Sequence, residues 1–388
     1  MNQIGRQGMA GTREGDRATP LLIAGCVGAG VVCATNLARG YPEVAVEYLQ
    51  ILLTVAAAGS LLVAAGLVGL AWRLSSVVFA VAASLRAAFG LIQLGSAWVA
   101  LPGWAATSMF GAVALSSALA AVALWISAAK ISVRLARATA ALTVASVVLQ
   151  SANFADLQLE LWSDDVYWTL DAAASAAGLG FLGLLALVFV IVAAARNSEP
   201  TRIPKEWTFG GIGALACVLS LGFFFHLGAT QGYAMTESDA YAGLVFLAAG
   251  LGLLGFGFVG HWRDRGGVMA WIAAAVCWLQ ACSILALGIF LIDSPAAVPV
   301  VMSSMVAVFA FGAVAYLSLG QRPLAPLAMT TGATWILAAL LGLVSLMLYV
   351  TEAAAGRVEL FQSLTLITAL VAFLLAAGYQ LGRPGGLR

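Results

Sequence analysis

The sequence predicts an all-α membrane protein with twelve transmembrane helices, and its composition and apolar runs are the observations that predict it. Hydrophobic residues make up 62% of the 388 residues, and charged residues only 9%. A soluble domain of this size carries many more charges. A spanning helix needs about 20 apolar residues. Twelve stretches qualify, at 20–38, 45–71, 75–98, 104–127, 133–154, 168–195, 208–229, 240–260, 267–291, 297–319, 326–350 and 360–381.

The lysines and arginines predict the orientation of these helices. With twelve spans, all but three of the 18 Lys and Arg residues fall in loops on one side. Arg39 and Arg357 lie on the other side, and Arg86 lies inside a span. Loops rich in Lys and Arg stay in the cytoplasm. We therefore expect a multi-pass protein of the cell (plasma or inner) membrane, with the N and C termini cytoplasmic.

The second half of the chain reads as a diverged copy of the first. Gly40-Tyr41, Tyr48 and Trp72-Arg73 recur as Gly232-Tyr233, Tyr241 and Trp262-Arg263, and a fixed offset pairs Gly95, Pro102, Met109, Ala120 and Leu124 with Gly288, Pro295, Met302, Ala313 and Leu317. Six helices per copy give both copies the same orientation. The predicted fold is therefore two parallel six-helix repeats.

The predicted domain boundaries follow from the polar ends of the chain and its polar centre. We expect a disordered cytoplasmic tail at 1–18, the first repeat at 19–196, a cytoplasmic linker at 197–207, the second repeat at 208–382 and a second tail at 383–388.

Arg86 is the candidate with the strongest physical argument. It lies about eleven residues from either end of the predicted helix 75–98, too deep for its head to reach water easily. An Arg at this depth costs about 2.5–3.5 kcal/mol. It has either an anion-binding or coupling role, or a structural role as half of an ion pair or as a cap on the carbonyls of a broken helix. At the fixed offset its counterpart in the second copy is Leu279, with Gln280 beside it.

Gln93 and Asp171 are the predicted companions of Arg86. Gln93 follows Arg86 by seven residues and so shares its helix face. Asp171 is a carboxylate that enters an apolar span by about one turn, which makes it a candidate counter-charge for Arg86. The alternative is that Asp171 lines the outer interface.

His226 and Gln280 complete the candidate substrate or coupling residues. His226 lies near the outer end of the seventh predicted helix, where it either carries a coupling proton or marks the headgroup level. Gln280 is the polar residue of the second copy nearest to the position matched to Arg86.

Glycines recur at heptad spacing in matched helices of the two copies. Gly59 and Gly66 do so in the second helix, and Gly243, Gly250 and Gly257 in the eighth. Small residues on one face let helices approach closely. Both static packing and a sliding surface are consistent with this pattern.

The turn predicted between the eighth and ninth helices carries Gly260, Asp264, Arg265 and Gly267. It resembles the Gly-x-x-x-Asp-Arg-x-Gly turn of major facilitator transporters, and twelve helices in two parallel sixes resemble the topology of that family. The matching turn of the first copy, Trp72-Arg73-Leu74-Ser75, lacks the Asp and the glycines. A basic anchor turn is the alternative reading. The resemblance implies secondary transport by alternating access.

Motifs of several other function classes are absent from the sequence. It contains no phosphate-binding Gly-x-x-x-x-Gly-Lys-Ser/Thr loop, no His-Glu-x-x-His and no Gly-x-Ser-x-Gly. The five cysteines fall inside apolar segments, without the spacing of a disulfide framework or a metal site. We therefore expect no enzymatic activity, cofactor, metal or nucleic-acid partner.

The sequence thus favours a secondary transporter that works by alternating access of two six-helix halves on a small-molecule or ion substrate. The alternative is a non-transporting integral subunit or scaffold that packs against other membrane proteins. The two hypotheses differ in what surrounds Arg86, since a transporter needs it in a wet cavity and a subunit needs it sealed.

Overall fold

The computed structural model of the chain describes residues 4–39, 42–99, 103–159, 163–194, 205–231, 237–265, 267–290, 297–319, 324–352 and 355–382. The regular structure within these ranges is helical, without strands. Twelve of the described helices are long and apolar enough to cross a membrane. The chain divides into two compact units, Met1–Glu199 and Pro200–Arg388, at a point inside the predicted linker 197–207.

The first unit is a ring of six long helices. Each packs against the next along the chain, and the last packs against the first. A four-residue helix, α5, lies in the turn between the fourth and fifth long helices. The elements are α1 (Ile4–Arg39), α2 (Pro42–Leu74), α3 (Val77–Trp98), α4 (Gly103–Ile126), α5 (Ala128–Ile131), α6 (Val133–Leu159) and α7 (Asp164–Ala194).

The second unit is also a ring of six long helices with the same order of neighbours. Consecutive helices pack together, and its last helix closes the ring against its first. The elements are α8 (Lys205–Gln231), α9 (Glu237–Arg265), α10 (Val268–Phe290), α11 (Ala297–Leu317), α12 (Ala325–Val350) and α13 (Ala355–Leu381).

Helix α1 begins earlier than the sequence predicts. Residues 4–17 belong to it, although we expected a disordered tail there. The helix continues through Pro20, and the part able to span a membrane begins at Ala18. The apolar runs that predict spans say nothing about polar residues that extend a helix beyond the membrane.

The first two helices of the first unit cross through glycines. A Cβ added at Gly25 of α1 would lie 2.5 Å from the Cα of Gly66 in α2, and one at Gly28 would lie 2.6 Å from the carbonyl oxygen of Gly59. Real atoms do not approach so closely, so only glycine permits this backbone contact.

The first two helices of the second unit cross in the same way. A Cβ added at Gly210 of α8 would lie 2.5 Å from the Cα of Gly257 in α9, and one at Gly213 would lie 2.5 Å from the carbonyl oxygen of Gly250. In both units the glycines are three residues apart on the first helix and seven apart on the second. Four of the five heptad glycines, Gly59, Gly66, Gly250 and Gly257, are therefore backbone contact points, whereas Gly243 lies against the ring of Phe224.

Candidate functional site

Arg86 lies on the buried face of α3 in the first unit. Its residue is only 6% exposed, and its guanidinium carbon lies 5.3 Å from the ring centre of Phe89, one turn further along the helix. The buried Nε atom has no hydrogen-bond partner, and no carboxylate among the described residues forms an ion pair with Arg86. Among the described residues, the contact recorded for this charge is the Phe89 ring.

Gln93 lies on the same buried face of α3. It is also 6% exposed, and its side-chain oxygen Oε1 accepts no hydrogen bond from any described residue. The face that buries both residues also carries Phe79, Ala82, Ala83, Gly90 and Ala97. Arg86 and Gln93 are therefore its two polar members, one heptad apart.

Asp171 pairs with an asparagine and not with Arg86. Asn153 of α6 donates from Nδ2 to Oδ1 of Asp171 in α7 at 2.8 Å. Helices α6 and α7 are neighbours in the ring, whereas the neighbours of α3 are α2 and α4. Among the described residues Asp171 forms no ion pair with Arg86, so its role as the counter-charge stays a prediction.

A polar face along α6 escaped the sequence reading, apart from Gln150 and Asn153. It turns towards the interior of the first unit, and Gln150 donates from Nε2 to the Ser146 hydroxyl at 3.2 Å. Its members recur at intervals of three or four residues and are Thr139, Thr143, Ser146, Gln150, Asn153 and Asp156. The signal that reveals it is this helical spacing, which occurs in the span with the lowest mean hydropathy of the twelve.

The burial patterns of α3 and α10 give a different counterpart of Arg86 from the fixed offset. When the helices are aligned at Val77 and Val268, each position buried in α3 from Phe79 to Gln93 meets a buried position in α10. Arg86 then matches Cys277, which is fully buried, whereas Leu279 is 66% exposed. The burial patterns therefore shift the match by two residues from the one that the fixed offset gives.

Gln280 lies on the buried face of α10 in the second unit. Its amide nitrogen Nε2 donates to the carbonyl oxygen of Val301 in α11 at 3.5 Å, and its Oε1 accepts no hydrogen bond from the described residues. In the burial alignment it corresponds to Phe89 of α3. Gln280 thus joins two neighbouring helices of its own unit.

The side chains of three predicted residues are not among those that the structure describes. They are His226 in α8, and Asp264 and Arg265 at the end of α9. Gly260 packs against Trp207, since an added Cβ would lie 2.8 Å from its ring, whereas an added Cβ at Gly267 would meet no atom within 4 Å. Gly260 therefore has a packing role in the turn.

A buried histidine amid aromatic rings is the main feature of the second unit that the sequence reading missed. His261 is 1% exposed, and its ring centre lies 4.8 Å from Trp207 and 5.1 Å from Tyr316. Phe258 and Tyr379 lie within 6 Å of it. Aromatic residues near the ends of α8, α9, α11 and α13 enclose it.

Gln380 extends this aromatic cluster. Its Nε2 donates to the Tyr316 hydroxyl at 2.8 Å, while its Oε1 lies against the crossing of Gly210 and Gly257. In the first unit the ring of Phe189 lies against the crossing of Gly25 and Gly66. An amide therefore stands in one unit where the other has a phenyl ring.

No group of three His, Cys, Asp or Glu residues in the described ranges could hold a metal ion. Comparisons with protein-family models, with curated proteins and with solved structures found no match to this chain. The plain conclusion is that this is a multi-pass membrane protein with twelve span-like helices in its described residues.

Proposed function

We propose that the protein is a secondary membrane transporter for an anionic substrate, and that Arg86 binds the anion. The observation that carries this proposal is a buried Arg86 whose Nε atom has no hydrogen-bond partner and which forms no ion pair with a described carboxylate. Intramembrane charges are rare and mark substrate or ion pathways.

The energetic argument compares what Arg86 costs with what it gains. Placing an Arg at the centre of a bilayer costs about 2.5–3.5 kcal/mol on the lenient scale. A cation–π contact returns about 0.5–2 kcal/mol, and Phe89 supplies one such contact. A structural role usually brings a carboxylate or several carbonyls to the guanidinium, and neither is present among the described residues. An anion that comes and goes accounts for the unpaired charge.

Arg86 is buried in this structure, so the proposed transport cycle requires a second state in which polar groups of the first unit give water access to it. Gln93 offers an unpaired amide oxygen one heptad away on the same face. Helix α6 of the same ring turns hydroxyl, amide and carboxyl groups inward along its length. The proposed mechanism is alternating access, in which the Arg86 site opens first to one side of the membrane and then to the other.

The duplication of a six-helix unit forms part of the proposal. Its support is the shared ring of neighbours and the shared glycine crossings. Helices α6 and α12 add a third likeness, since Thr139 donates to the carbonyl oxygen of Leu135 at 2.7 Å and Thr331 to that of Leu327 at 2.6 Å. Parallel repeats of this kind are typical of secondary transporters. Cytoplasmic termini and a location in the plasma or inner membrane remain part of the proposal.

Anion binding to the purified full chain is the first test. Thermal unfolding is measured with chloride, acetate, succinate or inorganic phosphate present, for wild type, Arg86→Gln and the control Arg263→Gln. A ligand that binds the native state raises the unfolding temperature. We expect at least one anion to stabilise wild type and Arg263→Gln but not Arg86→Gln.

Flux of the stabilising anion into proteoliposomes then separates transport from simple binding. We expect uptake by wild type and Arg263→Gln, and none above empty liposomes for Arg86→Gln. If no anion stabilises wild type, or if Arg86→Gln responds like wild type, the proposed role of Arg86 is wrong. Binding without flux would favour the alternative function, a non-transporting membrane subunit.

Cysteine accessibility tests alternating access directly. In a cysteine-free background, Ala83→Cys places a thiol on the face of Arg86, and Ala88→Cys places one on the exposed face of α3 as the control. A small membrane-impermeant reagent is added from each side of sealed vesicles. We expect Ala83→Cys to react from both sides and Ala88→Cys from neither. Protection of Ala83→Cys from both sides would contradict alternating access.

A further inference from the structure

A basic patch lies at the end of the first unit where α4, α5 and α6 meet. We define it as Lys130 of α5 with Arg134 and Arg137 of α6. The three cations come from a short stretch of chain, and helices α4 and α6 both pack against α5. Lys130 and Arg137 are exposed and Arg134 is half-buried, so the patch faces outward from the unit.

Two contacts hold the basic patch in place. The guanidinium carbon of Arg137 lies 5.1 Å from the ring centre of Trp125 in α4. The ammonium group of Lys130 donates to the carbonyl oxygen of Leu74 at the end of α2, at 3.3 Å. That bond uses one of its three N–H donors, which leaves two for a ligand.

No acidic residue lies close to the basic patch along the chain. No Asp or Glu occurs anywhere from Tyr48 to Ala155, the stretch that forms most of α2 and α6 and everything between them. The second unit differs, because Arg263 at the end of α9 forms an ion pair with Glu206 of α8. A ligand for the patch must therefore be an anion.

The flank of the basic patch is apolar and exposed. Trp125 and Ile126, the last residues of α4, are 56% and 71% exposed. Tryptophan at the end of a spanning helix belongs at the headgroup level of the bilayer, and the chain before it lies among acyl chains. An anion bound here thus has hydrocarbon directly beside it.

We propose that the basic patch binds the phosphate headgroup of an anionic phospholipid, with the acyl chains of that lipid against Trp125 and Ile126. Cations near a membrane surface attract anionic lipids, and basic pockets between transmembrane helices bind their headgroups. The fixed guanidinium of Arg137 and the free donors of Lys130 offer a phosphate several charge-assisted hydrogen bonds. A free phosphate ion could use the same cations but would leave the apolar flank uncovered.

The test is lipid binding to the full chain, measured by native mass spectrometry in detergent. Dioleoylphosphatidylglycerol is compared with dioleoylphosphatidylcholine for wild type and for a triple variant, Lys130→Gln with Arg134→Gln and Arg137→Gln. The matched control, Arg202→Gln with Lys205→Gln and Arg322→Gln, removes the same charge from other positions of the chain. We expect the triple variant to bind the anionic lipid about tenfold more weakly or worse, and the control to bind it like wild type.

Two single substitutions, Trp125→Ala and Arg137→Lys, replace the triple variant if it does not fold. We expect Trp125→Ala to weaken binding and Arg137→Lys to retain more of it than Arg137→Gln. Equal weakening in the triple variant and its control would overturn the site. If inorganic phosphate or glycerol 3-phosphate competes as strongly as the lipid, the ligand of the basic patch is a free phosphate and not a lipid.

Discussion

The two units share one helical scaffold but differ in what fills it. Each is a ring of six long helices whose first two members cross through glycines. The first unit turns Arg86, Gln93 and the polar face of α6 inward, whereas the second encloses His261 in aromatic rings. Polar side chains can exchange neighbours for water at little cost, but close-packed aromatic rings cannot. We therefore expect the proposed substrate binding in the first unit and a rigid packing in the second.

Single positions make the difference concrete. Arg86 corresponds to Cys277 in the burial alignment of α3 and α10, and Thr143 corresponds to Trp335 when α6 and α12 are aligned at Leu135 and Leu327. Each exchange replaces a polar group of the first unit with a less polar or aromatic one. The substitutions below exchange or remove these residues, so they test the comparison directly.

The largest expected effect on stability is at Trp335. Its ring is fully buried, its Nε1 donates to the carbonyl oxygen of Ala372 at 3.0 Å, and it lies against Gly312. Trp335→Thr installs the residue of the first unit and should lower the free energy of unfolding by about 3–5 kcal/mol. Thermal denaturation of the purified protein measures the loss. Trp271→Thr, at a half-exposed Trp of the same unit, is the control and should cost much less.

The next effect is on anion binding at Arg86. Arg86→Cys gives α3 the residue of α10 and should weaken the stabilising anion by about 2–5 kcal/mol, the range for removing one partner of a buried charge pair. The fold should survive, since an unpaired buried charge is also lost. The reverse change, Cys277→Arg, should destabilise the second unit because nothing there compensates the charge. Titration of the anion, monitored by unfolding temperature, decides both.

The sequence predicts the spans well because each needs only length and hydropathy, and all twelve appear in the structure. It predicts poorly which positions of the two units correspond. The fixed offset that pairs Gly95 with Gly288 pairs Arg86 with Leu279. The burial patterns pair it with Cys277 instead. Small shifts accumulate in the turns between helices, and identities among common residues such as Gly and Ala do not register them.

The candidate site shows the same division. Arg86 and Gln93 could be placed on one face, because seven residues make two helical turns to within about 20°. The pairing of Asp171 with Asn153 could not, because it depends on which helices are neighbours. The enclosure of His261 could not be predicted for a related reason, because rings that are distant in sequence cover it.

The glycine crossings predict an effect of intermediate size in both units. Gly66→Ala and Gly257→Ala each add a methyl group to a backbone contact and should cost about 1–3 kcal/mol of stability. Gly30→Ala and Gly252→Ala are the controls, since an added Cβ would meet no atom within 4 Å at either position. They should be neutral or slightly stabilising, because alanine favours the helix. Thermal denaturation of all four tests whether the crossings are equivalent; a loss in one unit alone would break the likeness.

The smallest effect is expected at Arg263, where the second unit has an ion pair with Glu206 that is largely open to solvent. The Arg263 side chain is 59% exposed, so water and salt screen the attraction, and holding both side chains in place costs entropy. Arg263→Gln should therefore lower the free energy of unfolding by about 1 kcal/mol or less, and less still in high salt. The measurement is thermal denaturation at low and high ionic strength, with Glu206→Gln as the partner variant and the double variant to complete the cycle. A loss as large as that of Trp335→Thr would mean that this end of the second unit is held by charge and not by the aromatic rings, and would reverse the assignment of rigidity made above.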